Sequence, residues 1–428
     1  MNVGGPHSQA LNVGGASFTA EASAKGSVAR LSSSYPENLA WLYSLQVFGI
    51  KLGLETAHRL IAELNLDLTR PRVIHVAGTN GKGSVCAMID SICRAAGYRT
   101  GLFTSPHLVT FRERIRVNGT MISQEAAGAG LAELRTLIAD WNPHPTFFEI
   151  TTALALQYFS ASQCDVIVLE TGLGGRLDAT NAVPSRVSVI TPIALDHQKW
   201  LGQTVREIAA EKAGIIKPNV PVISAGQSPE AEEVIRARAA ECHAPLTFVD
   251  TSYAESPVAL PGEYQKANAA VAIAAMRAAG LEVTAQVIAR GLAAVEWPAR
   301  FQRWDERTII DGAHNPAAAR VLADTWRETF GDQRATIILA VLSDKDVAGI
   351  LHALKSISDF VFLPKIQSPR ALSPDDLAQT LADITPRLPY SITPSFAEAL
   401  EKAHDRSGAI LITGSLHFAG EALAHLRG

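Results

Sequence analysis

Cysteine is scarce in this sequence, and the few cysteines form no recognisable pattern. Four of them in 428 residues supply neither a disulfide framework nor a C-x-x-C metal pair. Cys86 and Cys93 lie seven residues apart on a segment with helical periodicity, so we expect them to pack as small apolar side chains. This cysteine usage fits a reducing, cytoplasmic compartment.

Excess charge and long apolar runs are also missing. The formal net charge is −4 and the pI about 6.3, which gives no electrostatic reason for binding nucleic acid or an anionic membrane. Apolar runs such as "ATIILAVL" from Ala335 are far too short to span a bilayer. We therefore expect neither nucleic acid nor a membrane as a partner.

The composition that is present is globular, 47% hydrophobic and 19% charged, over a length that predicts two or three domains. Residues 1–33 differ. They are rich in Gly, Ser and Ala, repeat "NVGG" at Asn2 and Asn12, and lack the basic start and apolar core of a secretory signal. We expect a flexible tail there. An organellar targeting peptide is the alternative, although the stretch has only two basic residues.

Helices and strands are predicted to alternate from Tyr35 onward. "ENLAWLYSLQ" and "GLETAHRLIAELN" have helical spacing, "RVIHVAG" predicts a strand, and "SVCAMIDSICRAAG" predicts a helix that ends at Gly97. "YRTGLFTSPH" predicts the next strand, and further buried strands are expected at 165–170, 187–192 and 220–225. This repetition of βαβ units predicts a mostly parallel sheet.

A second series of strands, each followed by a helical segment, starts near Trp297. It contains "TIIDGAH", "RATIILAVL", "SDFVFLPK" and the apolar segment 408–415. We therefore predict the α/β class with two parts, residues 34–296 and residues 297–428. A ligand cleft is expected between them.

The stretch "RVIHVAGTNGKGSVCAMI", residues 72–89, has the character of a phosphate-binding loop but not the usual G-x-x-x-x-G-K-[ST] spacing. Gly78 and Gly81 allow backbone N–H groups to turn toward phosphate oxygens, and the following helix N-terminus and Lys82 add positive charge. Ser84 is expected either to cap that helix or to coordinate Mg²⁺. The alternative is a glycine-rich turn with a solvated lysine.

Two neighbouring strands end in groups that suit a magnesium site. Glu170 closes a buried strand as a carboxylate that Mg²⁺ could use, and His197 follows the next strand on the side where open α/β sheets bind ligands. A surface glutamate and a structural histidine are the alternatives. Lys212 lies in a predicted helix, and spacing alone favours a solvated lysine.

Together these segments resemble folylpolyglutamate synthase/dihydrofolate synthase, a branch of the ATP-dependent Mur ligase superfamily. The resemblance runs from about Tyr35 to the end of the chain. It rests on motifs that occur in family order: "WLYSLQVFGIKLGLE", "HVAGTNGKGSV", "LFTSPHL…ERIRVNG", "LETGLGGRLDATN", "IALDH…WLG", "EKAGIIK" and "DGAHNP". It implies a P-loop-type, mostly parallel-sheet ATPase domain that binds ATP, followed by a smaller Rossmann-like α/β C-terminal domain with a glutamate-ligase role.

The resemblance also implies a reaction. ATP would phosphorylate a carboxylate of a pteroate or folate to give an acyl phosphate, and the amine of L-glutamate would displace the phosphate to form an amide. Such chemistry requires charge neutralisation around the phosphoryl group and close placement of amine and acyl carbon. The family is usually monomeric.

Residue roles follow from the resemblance alone. The ATP phosphates would lie on Thr79, Asn80, Gly81, Lys82, Gly83 and Ser84, with Asn268, Arg300 and Asp311 also contacting the nucleotide. The magnesium ligands would be Ser105, Glu170 and His197. Lys212 matches a lysine that the family carbamylates to ligate a second magnesium ion. The catalytic groups would be Lys82, Lys212, His314 and Lys345.

The substrate contacts implied by the resemblance lie in both parts of the chain. Ser343 would join His314 and Lys345 from the C-terminal part, although the "HNP" turn also suits helix capping. The pterin pocket would be lined by two short segments: Thr146, Phe147, Phe148 and Glu149, and Arg176, Leu177, Asp178 and Ala179. One of the two phenylalanines could stack on a flat ring, and ordinary core packing is an equally good account of the other.

The sequence departs from the family pattern at three positions. Tyr264 stands where a histidine is common, which affects the expected adenine contacts. Ala299 replaces the usual glycine before Arg300, which restricts the backbone at a hinge. Lys199 occupies a position near the metal site that is often apolar or hydroxylic.

Two other functions compete with folate ligation. A Mur-type ligase acting on a UDP-linked precursor would usually carry a separate N-terminal UDP-binding domain, and only about 40 residues separate the tail from the phosphate loop. A P-loop switch or kinase-like regulator would bind nucleotide without ligating anything.

Overall fold

The structure is a computed structural model that describes Met1, residues 34–48 and residues 53–428. The prediction of a flexible tail, and the central part of the "WLYSLQVFGIKLGLE" motif at 49–52, lie outside the described residues. Within the described ranges no helix is long and apolar enough to cross a membrane. Residues 34–428 form one compact unit.

Helices and strands alternate along the chain, as the sequence predicts. The α-helices are α1 (Tyr35–Ser44), α2 (Glu55–Glu63), α3 (Lys82–Ala95), α4 (Gln124–Leu137), α5 (Phe147–Ala161), α6 (Gln198–Leu201), α7 (Val205–Ala213), α8 (Pro229–Glu241), α9 (Glu263–Ala278), α10 (Ala285–Ala293), α11 (Pro316–Phe330), α12 (Val347–Leu354), α13 (Pro374–Ile384), α14 (Phe396–His404) and α15 (Leu416–Leu426). Short 3₁₀ helices lie at Leu45–Phe48, Phe111–Arg114, Ala179–Ala182 and Lys355–Ile357.

The strands belong to two sheets. The first sheet contains β1 (Arg72–Ala77), β2 (Thr100–Phe103), β3 (Ile115–Val117), β4 (Thr120–Met121), β5 (Val166–Glu170), β6 (Val187–Ile190), β7 (Val222–Ala225) and β8 (Leu246–Val249). The second contains β9 (Gln302–Arg303), β10 (Thr308–Ile310), β11 (Ala335–Leu339), β12 (Ser358–Pro364), β13 (Tyr390–Thr393) and β14 (Ala409–Thr413).

The eight-stranded sheet has the order β4-β3-β2-β5-β1-β6-β7-β8, and all its strands run in one direction except β3, which pairs antiparallel with β2 and β4. Its central strands are buried on both faces, which is why they are continuous apolar runs rather than alternating ones. Cys86 and Cys93 of α3 are buried in the core on one face of this sheet, as predicted. The predicted mostly parallel α/β fold is confirmed.

The strand order places three loops together. Because β1 lies between β5 and β6 and all three are parallel, the segments that follow Ala77, Glu170 and Ile190 leave the same edge of the sheet side by side. The chain crosses over in opposite directions from this point, which is where open α/β sheets bind ligands. The phosphate loop occupies the middle of the three.

The six-stranded sheet has the order β13-β12-β11-β14-β10-β9, with only β9 antiparallel. The loops that follow β10, β11 and β14 therefore leave one edge, and they carry His314, Lys345 and Ser415. The predicted boundary at 296/297 falls between α10 and β9, in the connection between the two sheets. The division into separate domains stays a prediction.

The helix after the phosphate loop begins earlier than a serine cap requires. Gly81 precedes α3 in a left-handed conformation with φ +88°, so Ser84 is the third helical residue and caps nothing. Its hydroxyl accepts a hydrogen bond from Gln265 Nε2 at 3.2 Å instead. At the other end of α3, Gly97 follows the C-cap residue Ala96 and has φ +88°, as expected for a glycine that terminates a helix.

Candidate active site

A cavity of about 550 Å³ lies where the loop-bearing edges of the two sheets meet. Its wall contains the predicted phosphate loop, residues 79–84, and groups from both parts of the chain. The other predicted residues that line it are Ser105, Glu170, His197, Lys212, Asn268, Arg300, Asp311 and His314. Residues that are far apart in sequence thus share one chamber.

The phosphate loop is held in place by the strand beside it. The N–H groups of Thr79 and Asn80 both donate to the carbonyl of Pro192, at 3.0 and 3.1 Å. A Cβ on Gly78 would lie 1.9 Å from Thr191 Oγ1, so only glycine fits there. The first N–H groups of the 14-residue helix α3 have no intrahelical acceptor, and they face the cavity. This is the geometry of an anion site.

Lys82 closes over the loop that precedes it. Its Nζ donates to the carbonyl of Gly78 at 3.1 Å and to that of Thr79 at 3.3 Å. Among the described residues no carboxylate lies within ion-pair distance of this ammonium group. Its charge therefore faces the same space as the helix N-terminus, which strengthens the attraction for phosphate.

Glu170 is a buried carboxylate at the end of β5. One of its oxygens accepts the backbone N–H of Ser105 at 3.0 Å, which joins two of the predicted metal ligands directly. Burial raises the pKa of Glu170, and the nearby Lys82 charge works in the opposite direction. Because Lys82 favours its ionised form, Glu170 can offer a carboxylate oxygen to a hard cation such as Mg²⁺.

Lys212 is not the solvated lysine that its spacing suggests. Its side chain is buried, and Nζ donates to the carbonyl of Gly78 at 2.8 Å, so it reaches the phosphate loop from α7. Burial, with the repulsion of Lys82, lowers the pKa of Lys212 to about 7. An amine in this environment is partly uncharged near neutral pH.

The side chain of Asp196 contacts three residues of the second part of the chain, although no role was predicted for it. Lys345 Nζ lies 2.5 Å from Oδ1, while His314 Nε2 and Asn315 Nδ2 lie 3.3 and 3.2 Å from Oδ2. Burial alone would raise the pKa of Asp196, but the His314 hydrogen bond and the surrounding positive charges hold it well below its usual range. Both charged ends of the pair with Lys345 are nearly inaccessible to solvent.

The "HNP" turn fills both roles considered for it: Asn315 caps a helix, and His314 lines the cavity. Asn315 caps α11, because its side chain accepts the N–H of Ala318. His314 donates from Nδ1 to the carbonyl of Gly312 at 2.9 Å and turns Nε2 toward Asp196. Asn315 also exchanges two amide hydrogen bonds with Asn80 of the phosphate loop, at 3.0 and 3.2 Å. The loop and the second sheet are therefore directly connected.

His197 directly precedes the short helix α6 and has φ +52°. It lines the cavity, with Nε2 of its ring 3.9 Å from Oδ2 of Asp196. Burial lowers its pKa to about 4, so the imidazole is neutral at pH 7 and can offer a lone pair to a metal ion. Among the described residues no three His, Cys, Asp or Glu side chains cluster as a ready-made ion cage. Magnesium sites commonly rely on one or two protein ligands together with phosphate and water.

The remaining predicted nucleotide residues lie in the same wall. Asp311 is buried and accepts backbone N–H groups from Phe301 and Ala313 at 2.7 and 2.8 Å, and burial raises its pKa. Asn268 lies on α9 against Gly81, where an added Cβ would meet its Oδ1 at 2.8 Å. Arg300 Nη1 donates to the carbonyl of Ala299.

The two segments predicted for a pterin pocket lie outside this cavity wall. Thr146 and Glu149 bond to each other as a capping box at the start of α5, and Phe147 stacks on Tyr43 with ring centres 5.7 Å apart. Phe148 packs on Gly172, a cavity residue, where an added Cβ would lie 2.5 Å from the ring. The first segment thus backs onto the loop after β5 rather than facing the main chamber.

The second segment has structural partners. Asp178 accepts the N–H groups of Gly172 and Leu173 at 2.8 and 2.9 Å, so it fixes the loop that follows Glu170. Arg176 pairs with Glu211 at 2.8 Å. Leu177 lies in the same turn as Arg176, and Ala179 is the buried first residue of a 3₁₀ helix. Ser343 is exposed and does not line the cavity.

The three departures from the family pattern differ in their surroundings. Ala299 has φ +58°, a left-handed conformation that costs an L-residue roughly 1–2 kcal/mol and that glycine would adopt freely. Tyr264 lines the cavity. Lys199 is exposed and lies over the ring of Trp200 at 5.6 Å, so it does not enter the chamber.

Two family models match the chain. The "Mur ligase middle domain" matches residues 76–221, and the "Mur ligase, glutamate ligase domain" matches residues 299–416. The dihydrofolate synthase/folylpolyglutamate synthase of Escherichia coli strain K12 is 37% identical over 394 residues, which cover 89% of this chain and 92% of that protein.

Solved structures agree with these matches. The E. coli FolC structure described as a complex with DHPP and ADP superposes with a TM-score of 0.83 at 36% identity, covering 92% of this chain and 98% of that one. A Yersinia pestis folylpolyglutamate synthase/dihydrofolate synthase with AMPPNP and a Mn ion gives 0.84 at 33% identity, covering 92% and 98%. The chain belongs to the dihydrofolate synthase/folylpolyglutamate synthase family of Mur ligases.

Proposed function

We propose that this protein is an ATP-dependent ligase that adds L-glutamate to dihydropteroate, to (tetrahydro)folate, or to both, and releases ADP and phosphate. The observation that carries the proposal is the single cavity that joins a phosphate loop, Glu170 and Lys212 from the first sheet to His314 from the second. A nucleotide switch would need only the first half of this arrangement. Its relatives named above are ligases of this class, and two of them are described with bound nucleotide.

The chain's own groups suit an acyl-phosphate route. The N-terminus of α3 and Lys82 would hold the ATP phosphates and stabilise the charge that develops as the acceptor carboxylate takes the γ-phosphoryl group. Asn268, Arg300 and Asp311 would position the nucleoside. Lys345 would bring positive charge, and His314 a ring nitrogen, from the second sheet toward the acyl phosphate as the glutamate amine displaces phosphate, and Asp196 would position both side chains.

The metal site fits the residues present. Ser105, Glu170 and His197 supply a hydroxyl, a carboxylate and a neutral imidazole, and Lys212 would complete a site for a second ion if it is carbamylated. Magnesium would neutralise phosphate charge and orient the γ-phosphoryl group. Glu170 and Ser105 are already joined by a hydrogen bond, so the cavity presents these ligands as one unit.

The pterin contacts remain part of the proposal. Phe148 and Asp178 lie behind the loop after β5, so a pterin held there would reach the reaction centre past Gly172. A monomeric, cytoplasmic enzyme is expected from the family resemblance. Size-exclusion chromatography with light scattering would test the monomer directly.

A ligation assay tests the activity. The protein is incubated with ATP, Mg²⁺ and L-glutamate, and with dihydropteroate and tetrahydrofolate in parallel reactions. We expect products heavier by one glutamyl residue, with ADP formed only when both glutamate and a pterin substrate are present. Nucleotide-dependent binding of a partner protein without such turnover would favour a switch, and turnover with a UDP-linked precursor alone would favour another Mur-type ligase.

Replacing Glu170 with glutamine is expected to raise the Mg²⁺ concentration for half-maximal activity by at least about tenfold. Glutamine can still accept the N–H of Ser105, so the loop geometry should survive while the negative charge is lost. The measurement is a Mg²⁺ titration of initial rate at saturating ATP. The surface variant Glu241→Gln is the control, and an unchanged titration in Glu170→Gln would remove this residue from the metal site.

Carbamylation of Lys212 is expected to give a ¹³C carbamate signal when the protein is equilibrated with ¹³C-bicarbonate. The Lys212→Met variant should lose both the signal and the activity. Lys217 supplies the matched control, because it is also a largely buried lysine, hydrogen-bonded to Asn181, but does not line the cavity. A carbamate signal that persists in Lys212→Met and disappears in Lys217→Met would contradict the assignment.

A further inference from the structure

A second, smaller cavity of about 190 Å³ adjoins the proposed active site. We call it the arginine pocket, because its wall includes Arg116, Arg300 and Arg427 together with Thr110, Trp297 and Leu423. It shares Ser105, Glu170 and Gly83 with the main cavity. Neither His314 nor Asp196 lines it, and its wall combines Glu170 and the loop before β3 with Leu423 and Arg427 of the second part.

The three arginines of this pocket form no ion pair within the described residues, although Glu113 acts on Arg116, and Glu170 and Asp311 interact with Arg300, over longer distances. Within the described ranges no carboxylate oxygen lies within 4.0 Å of the guanidinium groups of Arg116, Arg300 or Arg427. Arg116 donates from Nε to a backbone carbonyl, that of Glu113, and lies 5.6 Å from the centre of the Trp297 ring. Three arginines without an ion-pair partner around one small cavity indicate an anionic ligand.

Two glutamates also line the pocket, but the protein uses both of them. The carboxylate of Glu113 accepts the backbone N–H groups of Leu108, Val109 and Thr110 at 2.8, 3.0 and 2.9 Å, which fixes the loop that forms one wall. Glu170 accepts the N–H of Ser105. Neither carboxylate therefore takes the place of a ligand on the arginines.

The volume of the arginine pocket and the apolar part of its wall indicate which kind of anionic ligand it can hold. Sites for a complete drug-sized ligand usually measure about 300–1,000 Å³, so this pocket suits a fragment of a substrate. Trp297 packs tightly on Gly83, where an added Cβ would lie 2.7 Å from its Nε1, and it presents a flat apolar surface beside the arginines. A short aliphatic chain bearing a carboxylate matches both surfaces.

We propose that the arginine pocket binds the α-carboxylates of glutamyl residues already attached to the acceptor. This proposal rests on the proposed function and names the part of the substrate that this wall recognises. The terminal γ-carboxylate would lie beside Glu170 for activation, and the preceding glutamyl residue would enter the pocket. Arg427 is exposed at the end of α15, so the middle residues of a longer tail, between the terminal glutamate and the pterin, can loop into solvent there.

The test compares acceptors with and without glutamyl residues. Equilibrium dissociation constants of the full-length protein are measured for tetrahydropteroyl-triglutamate and for dihydropteroate, in the presence of ADP. In Arg116→Gln and Arg427→Gln we expect the Kd for the triglutamate to rise about tenfold or more, because each variant loses a charge-assisted hydrogen bond. The Kd for dihydropteroate, which has no glutamyl residue, should stay within about twofold of the wild-type value.

Two variants control for misfolding and for the general loss of one positive charge. Arg427 lies near the exposed end of a helix, so its variant should fold even if Arg116→Gln does not. The exposed Arg387 lines neither cavity, and Arg387→Gln is the matched control for loss of one positive charge. Thermal unfolding of each variant is recorded alongside.

Three results would overturn the proposal. The first is an equal loss of affinity for both acceptors, and the second is no loss for either. The third is an effect confined to the KM for L-glutamate or to inhibition by inorganic phosphate, which would assign the arginines to another anion. The proposed function is tested separately, because glutamate-dependent ADP formation by the wild-type protein does not depend on any of these variants.

Discussion

Replacing Lys82 with alanine is expected to lower kcat for ligation by about 10²–10³-fold or more while the protein folds as before. The Lys82 ammonium group and the first N–H groups of α3 converge on one anion site, and only the lysine carries a full charge. The effect should fall on kcat as well as on the KM for ATP, because the charge on the phosphoryl oxygens is redistributed during transfer. Initial rates of ADP formation at saturating glutamate and pterin measure both constants.

The fold of this variant should be unaffected for a local reason. Lys82 Nζ bonds to the carbonyls of Gly78 and Thr79, both at the cavity wall, where water can take over as donor. The surface variant Lys266→Ala is the control for loss of a lysine, since its ammonium group pairs with Glu263 on the exposed side of α9. Turnover at the wild-type rate by Lys82→Ala would contradict the assignment of the phosphate loop.

The parts of the fold that the sequence predicted share one physical property. Strands β1, β2, β5, β6, β7, β10, β11, β12 and β14 are buried on both faces or nearly so, and they stand out as apolar runs bounded by glycine or polar turns. The strands that were missed are β3, β4, β8, β9 and β13, which are short, edge-positioned or only partly buried. An edge strand gains its hydrogen bonds from one neighbour only, so its sequence carries a weaker signal.

The candidate site was predictable where a group follows a buried strand directly. Glu170 and the phosphate loop leave adjacent parallel strands, so their proximity follows from the sheet alone. Lys212 could not be placed in this way, because its contact with Gly78 depends on how α7 packs against the loop. Only the resemblance to a family indicated a role for it.

Asp196 and Asn315 were missed because their partners lie across the contact between the two sheets. The only sequence signal for Asp196 was its position before His197 at a strand end, and Asn315 is indicated only as a helix cap. Neither signal reports that the two side chains meet at 3.2 Å, or that Lys345 is the third member of the group. Contacts of this kind are set by the arrangement of whole sheets, which local sequence patterns do not encode.

The pair between Asp196 and Lys345 gives the second large prediction. Replacing Asp196 with asparagine should destabilise the protein by about 3–5 kcal/mol, because it leaves the charge of Lys345 buried without its main partner. Among the residues that the structure describes, the one other carboxylate within ion-pair range is that of Asp344, at 4.0 Å and partly exposed. Lys345→Met should have a smaller effect, since His314 and Asn315 still bond to Asp196.

A double-mutant cycle separates this pairing from general damage. If the two charges compensate each other, the variant that combines Asp196→Asn with Lys345→Met should be more stable than Asp196→Asn alone. Urea unfolding followed by circular dichroism and by tryptophan fluorescence gives the free energies, and coincident curves would show that a two-state description holds. Additive losses in the cycle would mean that the pair contributes no coupling.

Activity should not follow stability in this cycle. The double variant removes both the Lys345 charge beside Asp196, a residue of the cavity wall, and the negative charge that holds His314, so kcat should stay at least about 10²-fold below wild type even where the fold is rescued. Recovery of stability without recovery of kcat would assign the pair a role in the reaction as well as in joining the two sheets. Recovery of both stability and kcat would show that the Asp196–Lys345 pair has only a structural role.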